Sequence, residues 1–351
     1  MSQSYEEVVA EIREKQNIDL NQLQLLLGEA SEEEVQYLYK MAREVADFTY
    51  GKRIFKRGLI EFTNYCKNDC YYCGIRKSNS CVDRYRLDKT AILDCCKKGY
   101  ELGYRTFVLQ GGEDGYFTDE RVCDFVSAIH REYPDCAITL SIGEKSKESY
   151  QSYFDAGVNR YLLRHETANE KHYEMLHPRE LSLKNRKQCL QNLKEIGFQV
   201  GCGFMVGSPY QMVETLYDDL MFIKELKPAM VGIGPFIPQK ETPFATEKAG
   251  SVEMTLRLLA IIRLIHPWVL LPATTALGTL HKNGWELGIL AGANVVMPNL
   301  SPIEARERYK LYDNKVCTDD VVSQGDMNLQ LRMKQIGYEL VCDRGDYKCT
   351  M

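Results

Sequence analysis

The chain has 351 residues, a formal net charge of -5 and a hydrophobic fraction of 44%. This length can bury one large core, and no block of Lys and Arg indicates a surface for nucleic acid. The polar start, MSQSYEEVVAEIREKQ, lacks the apolar segment of a secretory signal, and no run of about 20 apolar residues follows, so we expect a cytoplasmic protein that does not enter a membrane. Its thirteen cysteines favour metal chemistry over disulfides, because cytosolic thiols stay reduced.

The first 50 residues have a helical pattern. Ser31 and Glu34 occupy the positions of a capping box, and apolar residues then recur at helical spacing from Val35 to Phe48. We therefore expect residues 1–50 to form a helical extension that packs on the main domain.

From about residue 53, short β-rich runs alternate with amphipathic helical segments. Eight strands are predicted, at residues 54–62, 106–110, 137–141, 160–163, 199–204, 230–233, 269–271 and 294–297. Repeated βα units of this kind predict an α/β fold, a closed (β/α)8 TIM-type barrel over residues 51–300, followed by a helical tail over residues 301–351 that packs on the barrel. The active site of such a barrel lies at the C-terminal ends of its strands.

The loop after the first predicted strand, NYCKNDCYYCGIRK, contains Cys66, Cys70 and Cys73. Three thiolates on one short loop can each bind one iron of a [4Fe-4S] cluster and leave the fourth iron open. A structural zinc site needs a fourth ligand, and no histidine stands at a suitable spacing. Cysteines that serve only as small buried hydrophobes fit poorly with the polar KND between the first two. The spacing therefore favours an iron–sulfur cluster.

This CxxxCxxC motif, with Tyr72 before the last cysteine and Gly74 after it, resembles the motif of the radical S-adenosylmethionine (SAM) enzymes. The resemblance implies one [4Fe-4S] cluster on Cys66, Cys70 and Cys73, SAM bound at the open iron, and reductive cleavage of SAM to a 5'-deoxyadenosyl radical. A radical of this kind attacks almost any nearby bond, so the chemistry requires a closed barrel that excludes water.

Eight further strings narrow the resemblance: RYRL, VLQGGED, ITLSIGE, RYLLRHETAN, MVGIGPFIP, TPFATEKAG, PATTALGT and GANVVMPNLSP. In this order they resemble the HydE family of FeFe-hydrogenase maturases, from about residue 5 to residue 316. The resemblance implies an enzyme that helps to assemble the hydrogenase active site beside partner maturases, with a reductant such as flavodoxin or ferredoxin. Its implied substrate is a small organometallic complex of iron with cysteine, carbon monoxide and cyanide, whose cysteine sulfur the radical attacks.

The same strings imply residue roles. Gly112 and Glu113 resemble the element that receives the SAM amino group. Glu166 and Arg186 resemble the pair that fixes the ribose and methionine ends, and the planar guanidinium of Arg186 suits a carboxylate. The predicted cofactor-binding set also contains Tyr72 and Ser141.

Ten residues match positions that line the family's internal cavity: Arg57, Thr139, Arg160, Arg164, Met230, Thr274, Thr275, Met297, Tyr309 and Tyr312. Fixed guanidinium groups and hydroxyls in a cavity suit an anionic complex that carries cyanide. The chain departs from its relatives at Gly111, where they have Ser, so one hydroxyl is missing from the cavity wall.

The residues alone also allow structural interpretations. Glu113 could cap the following helix. Arg164 and Glu166 could form a structural ion pair. Met230 and Met297 could simply fill the core.

Two further observations concern metal binding. His172 and His177 are five residues apart, which does not match the i, i+4 spacing of two ligands on one helix face, and we interpret them as surface groups. Some relatives carry an auxiliary cluster on three C-terminal cysteines that include a close pair. Here Cys317, Cys342 and Cys349 contain no such pair, so we expect no auxiliary cluster.

Several alternative functions stay open. One is a HydE-like paralogue that acts in a cell without the hydrogenase. Another is a radical SAM enzyme similar to methylornithine synthase or biotin synthase, acting on a small organic substrate, although the predicted strands lack the several cysteines that a second cluster inside the barrel would need. A third is a non-catalytic iron–sulfur scaffold, which would carry a fully ligated cluster indifferent to SAM.

Overall fold

The computed structural model describes residues 3–315 and 322–348. Its strands are β1 (Arg53–Lys56), β2 (Gly58–Thr63), β3 (Thr106–Gly111), β4 (Ala137–Ser141), β5 (Arg160–Leu162), β6 (Gln199–Cys202), β7 (Met205–Val206), β8 (Met230–Val231), β9 (Gly234–Pro235), β10 (Pro272–Ala273), β11 (Val295–Val296) and β12 (Glu339–Val341). Its helices are α1 (Tyr5–Lys15), α2 (Leu20–Leu27), α3 (Glu32–Tyr50), α4 (Lys89–Glu101), α5 (Asp119–Glu132), α6 (Lys147–Asp155), α7 (Glu170–Leu176), α8 (Leu183–Ile196), α9 (Val213–Leu226), α10 (Val252–Ile265), α11 (Thr275–Leu280), α12 (Gly284–Leu290), α13 (Ile303–Arg308) and α14 (Val322–Gln335).

Helices α1 to α3 precede the first strand, and each begins with a capping box. In α3 the box consists of Ser31 and Glu34, as the sequence predicts. The buried face of α3, which includes Leu38 and Ala42, packs against α10. The predicted helical N-terminal region is confirmed, whereas the domain boundaries at residues 50 and 300 stay predictions.

The strands form a closed parallel barrel. β1 and β2 are two halves of one strand interrupted at Arg57, and the order continues through β3, β4, β5, β6 and β8. A parallel bridge between Met230 and Leu270 joins the sixth strand to the seventh. β10 then pairs with β11, which pairs with β1 and closes the circle. The predicted (β/α)8 barrel is confirmed.

The seventh strand differs from its predicted range. Leu270 forms the bridge, the carbonyl of Leu271 accepts from the N–H groups of Asn294 and Val295 at 2.9 and 3.1 Å, and the paired strand follows at Pro272–Ala273. Pro272 has no N–H to donate, which limits the regular ladder at this strand to two residues.

Side chains on the barrel strands alternate between two environments. Ile60 and Phe62 point outward into the core beneath the helices. Phe55 instead points inward and belongs to an apolar group in the lower barrel, here called the interior cluster: Phe55, Leu162, Met230, Leu270 and Val295. No helix within residues 3–315 or 322–348 has the length and apolar composition needed to cross a membrane.

The C-terminal tail contains more than the predicted helices. After α14, β12 pairs with β1, and the next residues lie across the N-terminal end of the barrel. There Arg160 Nη2 donates to the carbonyl of Arg344 at 2.8 Å and to Asp346 Oδ1 at 2.6 Å. Gly345 has φ +59°, and a Cβ at this position would stand 2.6 Å from the ring of Phe55. Glycine therefore allows the tail to close this end of the barrel.

Candidate active site at the cysteine loop

The cysteine loop follows β2 at the C-terminal end of the barrel and is held by backbone hydrogen bonds. Tyr71 N–H donates to the carbonyl of Leu176 at 3.0 Å, and Gly74 N–H donates to that of Leu311 at 2.8 Å. Arg84 donates to four backbone carbonyls in and beside the loop, including those of Ile75 and Arg76 at 2.9 and 2.7 Å. This role of Arg84 could not be predicted from the sequence, because its partners are backbone atoms brought together by the fold.

Cys66, Cys70 and Cys73 are free thiols, and burial raises the pKa of each, that of Cys70 to about 12. The Cys66 thiolate further raises the pKa of Cys70, and the Cys66 and Cys70 thiolates both raise that of Cys73, as expected for three sulfurs on one short loop. Among the described residues no three side chains converge on a single metal ion. Thiolates on a cubane cluster bind separate irons, so they need not converge in this way. A cationic cluster would offset the cost of three buried thiolates, and the residues fit that cofactor.

The loop that follows β3 packs directly on the cysteine loop through Gly112. A Cβ at Gly112 would stand 2.2 Å from the carbonyl oxygen of Tyr65 and 2.7 Å from Cβ of Cys66. Glu113 links three segments, since its Oε1 accepts from Glu144 N–H at 2.9 Å and its Oε2 lies 3.1 Å from Lys67 Nζ. The absence of a side chain at position 112 therefore brings the two loops into contact.

Asp114 anchors this loop to the first strand. Arg86 donates to its two carboxylate oxygens at 2.7 and 2.9 Å, and the hydroxyl of Thr63 donates at 2.8 Å. Burial alone would raise the pKa of Asp114, but these hydrogen bonds outweigh burial and lower it. The predicted departure at Gly111 fits this packing, because a Cβ there would approach Cγ2 of Thr63 to 2.7 Å.

Arg164, His165 and Glu166 follow β5, which is the fourth strand of the barrel. Glu166 adopts φ +65°, a conformation that few non-glycine residues take. The buried ring of His165 holds this turn, since Gly203 N–H donates to Nδ1 at 3.3 Å and Nε2 lies 3.2 Å from Asp219 Oδ1. With Nδ1 accepting, the proton resides on Nε2 and is donated to Asp219.

Arg164 and Glu166 form an ion pair at 3.1 Å between Nη2 and Oε2. Both atoms are buried and make no hydrogen bond within the described ranges. The contact is compatible with the structural interpretation, yet the two groups keep hydrogen-bonding capacity for a ligand.

Arg186, on α8, is buried and oriented by protein groups. Its Nε pairs with Glu144, and its Nη1 donates to the carbonyl of Arg164 at 2.8 Å. Its Nη2 makes no hydrogen bond to the part of the chain described here. Glu144 was not among the predicted site residues, because it contacts both Arg186 and Glu113 only after folding.

The surface interpretation of His172 and His177 is wrong. Their exposed fractions are 2% and 1%, respectively. His177 Nδ1 donates to the carbonyl of Tyr173 at 3.0 Å, and Nε2 therefore accepts from the hydroxyl of Tyr72 at 3.1 Å. Helical spacing tests whether two histidines share a face, but it does not report burial. His177 thus positions Tyr72 on the cysteine loop.

Six of the ten predicted cavity residues line two different cavities. Four of them, Arg57, Thr139, Arg160 and Met230, line a small cavity at the bottom of the barrel. Thr275 and Met297 line a larger cavity at the barrel wall. Near the mouth, Tyr309 OH accepts from Gln110 Nε2 at 3.4 Å, and Thr274 Oγ1 is buried without a hydrogen bond in the described residues. Tyr312 is partly exposed, as is Ser141 at the end of β4.

In the small cavity, Arg57 is fully buried and forms no ion pair within the described ranges. Its Nη1 lies 2.8 Å from Met230 Sδ, and its Nη2 donates to the carbonyl of Gly345 at 3.4 Å. Burial, reinforced by the neighbouring Arg160, lowers the pKa of Arg57. Arg57 Nε and Thr139 Oγ1 are buried without partners there. The cavity therefore carries positive charge and unused donors.

Of the C-terminal cysteines, Cys342 is exposed and free. Cys317 and Cys349 lie outside the described residues. The expectation that no auxiliary cluster is present stays a prediction.

A closed parallel barrel with three free thiols after its first strand defines the class of protein, and comparisons with known proteins agree. The family model of the radical SAM superfamily matches residues 60–223. The [FeFe] hydrogenase maturase subunit HydE of Thermotoga maritima is 43% identical over 280 residues, which cover 80% of each chain. The 3-methylornithine synthase of Methanosarcina acetivorans is 32% identical over 296 residues, which cover 82% of each chain.

Solved structures show the same fold. Methylornithine synthase superposes with a TM-score of 0.84 at 27% identity, over 95% of this chain and 97% of that one. HydG, a maturase of the [FeFe]-hydrogenase, superposes with a TM-score of 0.79 at 19% identity, over 95% of this chain and 75% of that one. The chain belongs to the radical SAM superfamily and, within it, to the HydE family. It is a radical SAM enzyme whose cofactors are a [4Fe-4S] cluster and SAM, as the sequence motif predicts.

Proposed function

We propose that this enzyme acts in maturation of the FeFe-hydrogenase active site, on an iron complex that carries cysteine, carbon monoxide and cyanide. The likeness to HydE supports the pathway. The observation that carries the choice of substrate is the buried, unpaired guanidinium of Arg57 in the barrel interior. A buried cation without a counter-ion is costly, and an anionic ligand would offset that cost.

In this proposal Cys66, Cys70 and Cys73 hold the cluster. SAM is held by the backbone at Gly112 together with Tyr72, Glu113, Ser141, Glu166 and Arg186. When bound, the reduced cluster and SAM supply a 5'-deoxyadenosyl radical, which in the proposed reaction attacks the cysteine sulfur of the substrate.

The protein's contribution is orientation. Glu144 and the carbonyl of Arg164 hold two nitrogens of Arg186, which leaves Nη2 to donate to a carboxylate. The His165–Asp219 pair holds the turn at Glu166, so the acid is preorganised before a ligand arrives.

The barrel is also shielded from water on the side covered by the tail. The tail closes its N-terminal end through Arg344, Gly345 and Asp346. The interior cluster fills the space above this closure with apolar side chains. A radical formed at the mouth would therefore meet the substrate and few competing hydrogen donors.

The interior charges also favour this substrate over that of the strongest alternative. 3-Methylornithine is a diamino acid, and an enzyme for such compounds needs acidic groups to receive two ammonium ions. Here the buried interior acid Glu61 is already paired with Lys315, and Asp346 is paired with Arg160. A diamino acid, with two ammonium groups and one carboxylate, carries a net charge of about +1 at neutral pH, and its ammonium groups would be repelled here by Arg57 and Arg160.

The proposal includes partners and a location. We expect delivery of the substrate by a partner maturase, electrons from flavodoxin or ferredoxin, and a cytoplasmic setting that keeps the three cluster thiols reduced. The remaining cavity residues, Arg164, Thr274, Thr275, Met297, Tyr309 and Tyr312, are proposed to contact the substrate or its path.

The test is SAM cleavage under anaerobic conditions with dithionite and a synthetic iron(II) cysteinate complex bearing carbon monoxide and cyanide. The proposal predicts that the complex stimulates cleavage of SAM to methionine and that the adenosyl group is recovered on sulfur, as an adenosyl–sulfur product detected by mass spectrometry. Lysine, an isomer of 3-methylornithine, serves as the competing substrate. Stimulation by lysine and not by the complex would assign the chain to the diamino acid chemistry instead.

A further inference from the structure

A cavity of about 850 Å³ lies in the barrel wall beside α14. We call it the lateral cavity. Its inner side is formed by Leu59, Thr275 and Met297, and its outer side by Trp285, Gly325 and Leu331. The volume falls within the range of about 300 to 1,000 Å³ that is typical of ligand sites.

The inner side reaches the interior of the barrel. Phe55 and Arg57 point inward, and Leu59 follows at the next position of the same alternation. Met297 packs against the interior cluster and also lines the lateral cavity. Thr275 and Met297, which line the lateral cavity, are two of the residues proposed to contact the substrate or its path, so the lateral cavity meets the proposed substrate region.

The outer side reaches the solvent. Leu331, on α14, has an exposed fraction of 59%, and Lys282, at the rim beyond α11, is also exposed. The lateral cavity thus runs from the surface to the interior through the wall formed by the seventh, eighth and first strands.

The charges along the lateral cavity favour anions. Its described lining contains four cationic residues, Lys282, Arg306, Lys315 and Arg332, and one acidic residue, Asp326. Lys315 is paired with Glu61 and Arg332 with Glu286, whereas Asp326 is neutralised by Lys56. Lys282 adds positive charge at the rim, where it attracts an approaching anion.

The lateral cavity is separate from the proposed cofactor site. None of its described lining residues belongs to the cysteine loop or to the proposed SAM-binding set. A second reactant could therefore reach the interior while SAM occupies the mouth of the barrel.

We propose that the lateral cavity is the passage through which the anionic substrate reaches the barrel interior. This inference rests on the proposed function for the identity of the substrate. It assigns the delivery of substrate to the wall beside α14, away from the cysteine loop where an electron donor must approach the cluster.

Gly325 allows a direct test. It lines the lateral cavity, and a Cβ built on it meets no atom within 4 Å. The Cβ of Gly325→Phe therefore meets no atom of the protein and its ring should narrow the passage, while Gly325→Ala is the matched control that adds only this Cβ and the same gain of helix propensity over glycine. We expect kcat/KM for the synthetic iron complex to fall about tenfold in Gly325→Phe relative to Gly325→Ala, because access limits association.

The KM for SAM and the slow 5'-deoxyadenosine formation without substrate should be the same in both variants. Lys282→Glu should lower kcat/KM about threefold at low salt, with the difference vanishing at high salt, while Lys282→Gln should show a smaller change. Equal kcat/KM for the two Gly325 variants would overturn the proposal. An equal loss of substrate-free SAM cleavage in Gly325→Phe would also overturn it, because the defect would then lie at the cofactor site.

Failure of the proposed function is distinguishable. If neither wild type nor Gly325→Ala binds or consumes the iron complex, that substrate assignment fails. The passage is then judged by iodide quenching of Trp285 fluorescence in a Trp268→Phe background. A passage for anions predicts that quenching falls about threefold in Gly325→Phe relative to Gly325→Ala, and equal quenching would refute it.

Discussion

Gly112→Ala is the perturbation whose effect can be worked out most fully from the structure. The new Cβ would stand 2.2 Å from the carbonyl oxygen of Tyr65 and 2.7 Å from Cβ of Cys66, whereas ordinary contacts begin at 3.4 Å. One of the two loops must therefore move by about 1 Å, and a displacement of this size near reacting groups can cost about 100-fold in rate. This loss corresponds to about 2.7 kcal/mol of activation free energy.

The assay is 5'-deoxyadenosine formation by reconstituted enzyme, with iron and sulfide counted in the same sample. Gly115→Ala is the matched control, since it lies in the same loop and its added Cβ meets nothing within 4 Å. We expect the control to retain the wild-type rate. A Gly112→Ala variant with full iron content and an unchanged rate would refute the argument that contact between the two loops positions the cofactors.

Three further predictions concern buried charge. Burial lowers the pKa of His172 and of His177, the latter to about 3, so both histidines bind protons at a higher pH in the unfolded chain than in the folded protein. Lowering the pH from 7 to 5.5 should therefore cost about 1 kcal/mol of unfolding free energy at His177. Guanidinium denaturation of His177→Asn should show a weaker pH dependence than that of the wild type, and a pH-independent wild type would contradict this. Arg57→Met removes a buried unpaired cation, so the midpoint of thermal unfolding should stay the same or rise. The KM for the iron complex should increase about tenfold. A lowered midpoint would contradict the claim that the buried charge is destabilising. Asp326→Ala leaves the ammonium of Lys56 buried and without its carboxylate partner, which should lower the free energy of unfolding by about 3 to 5 kcal/mol in chemical denaturation. Adding Lys56→Met should restore most of this stability. Wild-type stability of the single variant would disprove the reasoning.

The barrel could be predicted because each strand has its own local pattern. The range of β4 matches its prediction, and β3 and β5 differ from theirs by one residue at the C-terminal end. The seventh strand was misplaced because it makes few ladder hydrogen bonds and contains Pro272. The C-terminal strand β12 was missed, since three half-exposed residues after a helix carry no alternating pattern.

The site was predictable where chemistry is local. Three cysteines within eight residues can be recognised as a cluster-binding motif from the sequence alone. Arg84, Glu144 and Asp219 were missed because each acts on a segment distant in the chain, through backbone carbonyls or a buried partner. Such roles require the fold and leave no spacing to detect.

The same dependence on the fold explains why the burial of the histidines and the distribution of the cavity residues were not predicted. His177 is buried by its contacts with Tyr72 and Tyr173, which helical periodicity around residue 177 does not reveal. Six of the predicted cavity residues line two cavities, and Met230 of one and Met297 of the other both contact the interior cluster, an arrangement that only the fold reveals.

The central claim is that three thiolates hold a cluster with one open iron that receives SAM. The most direct test is the EPR spectrum of the dithionite-reduced, anaerobically reconstituted protein with and without SAM, with iron and 5'-deoxyadenosine measured in the same sample. The account predicts about four irons per chain, a signal that shifts when SAM is added, and release of 5'-deoxyadenosine. About six irons would show that the C-terminal cysteines do bind an auxiliary cluster, and an unchanged spectrum without SAM cleavage would contradict the account and leave a scaffold in its place.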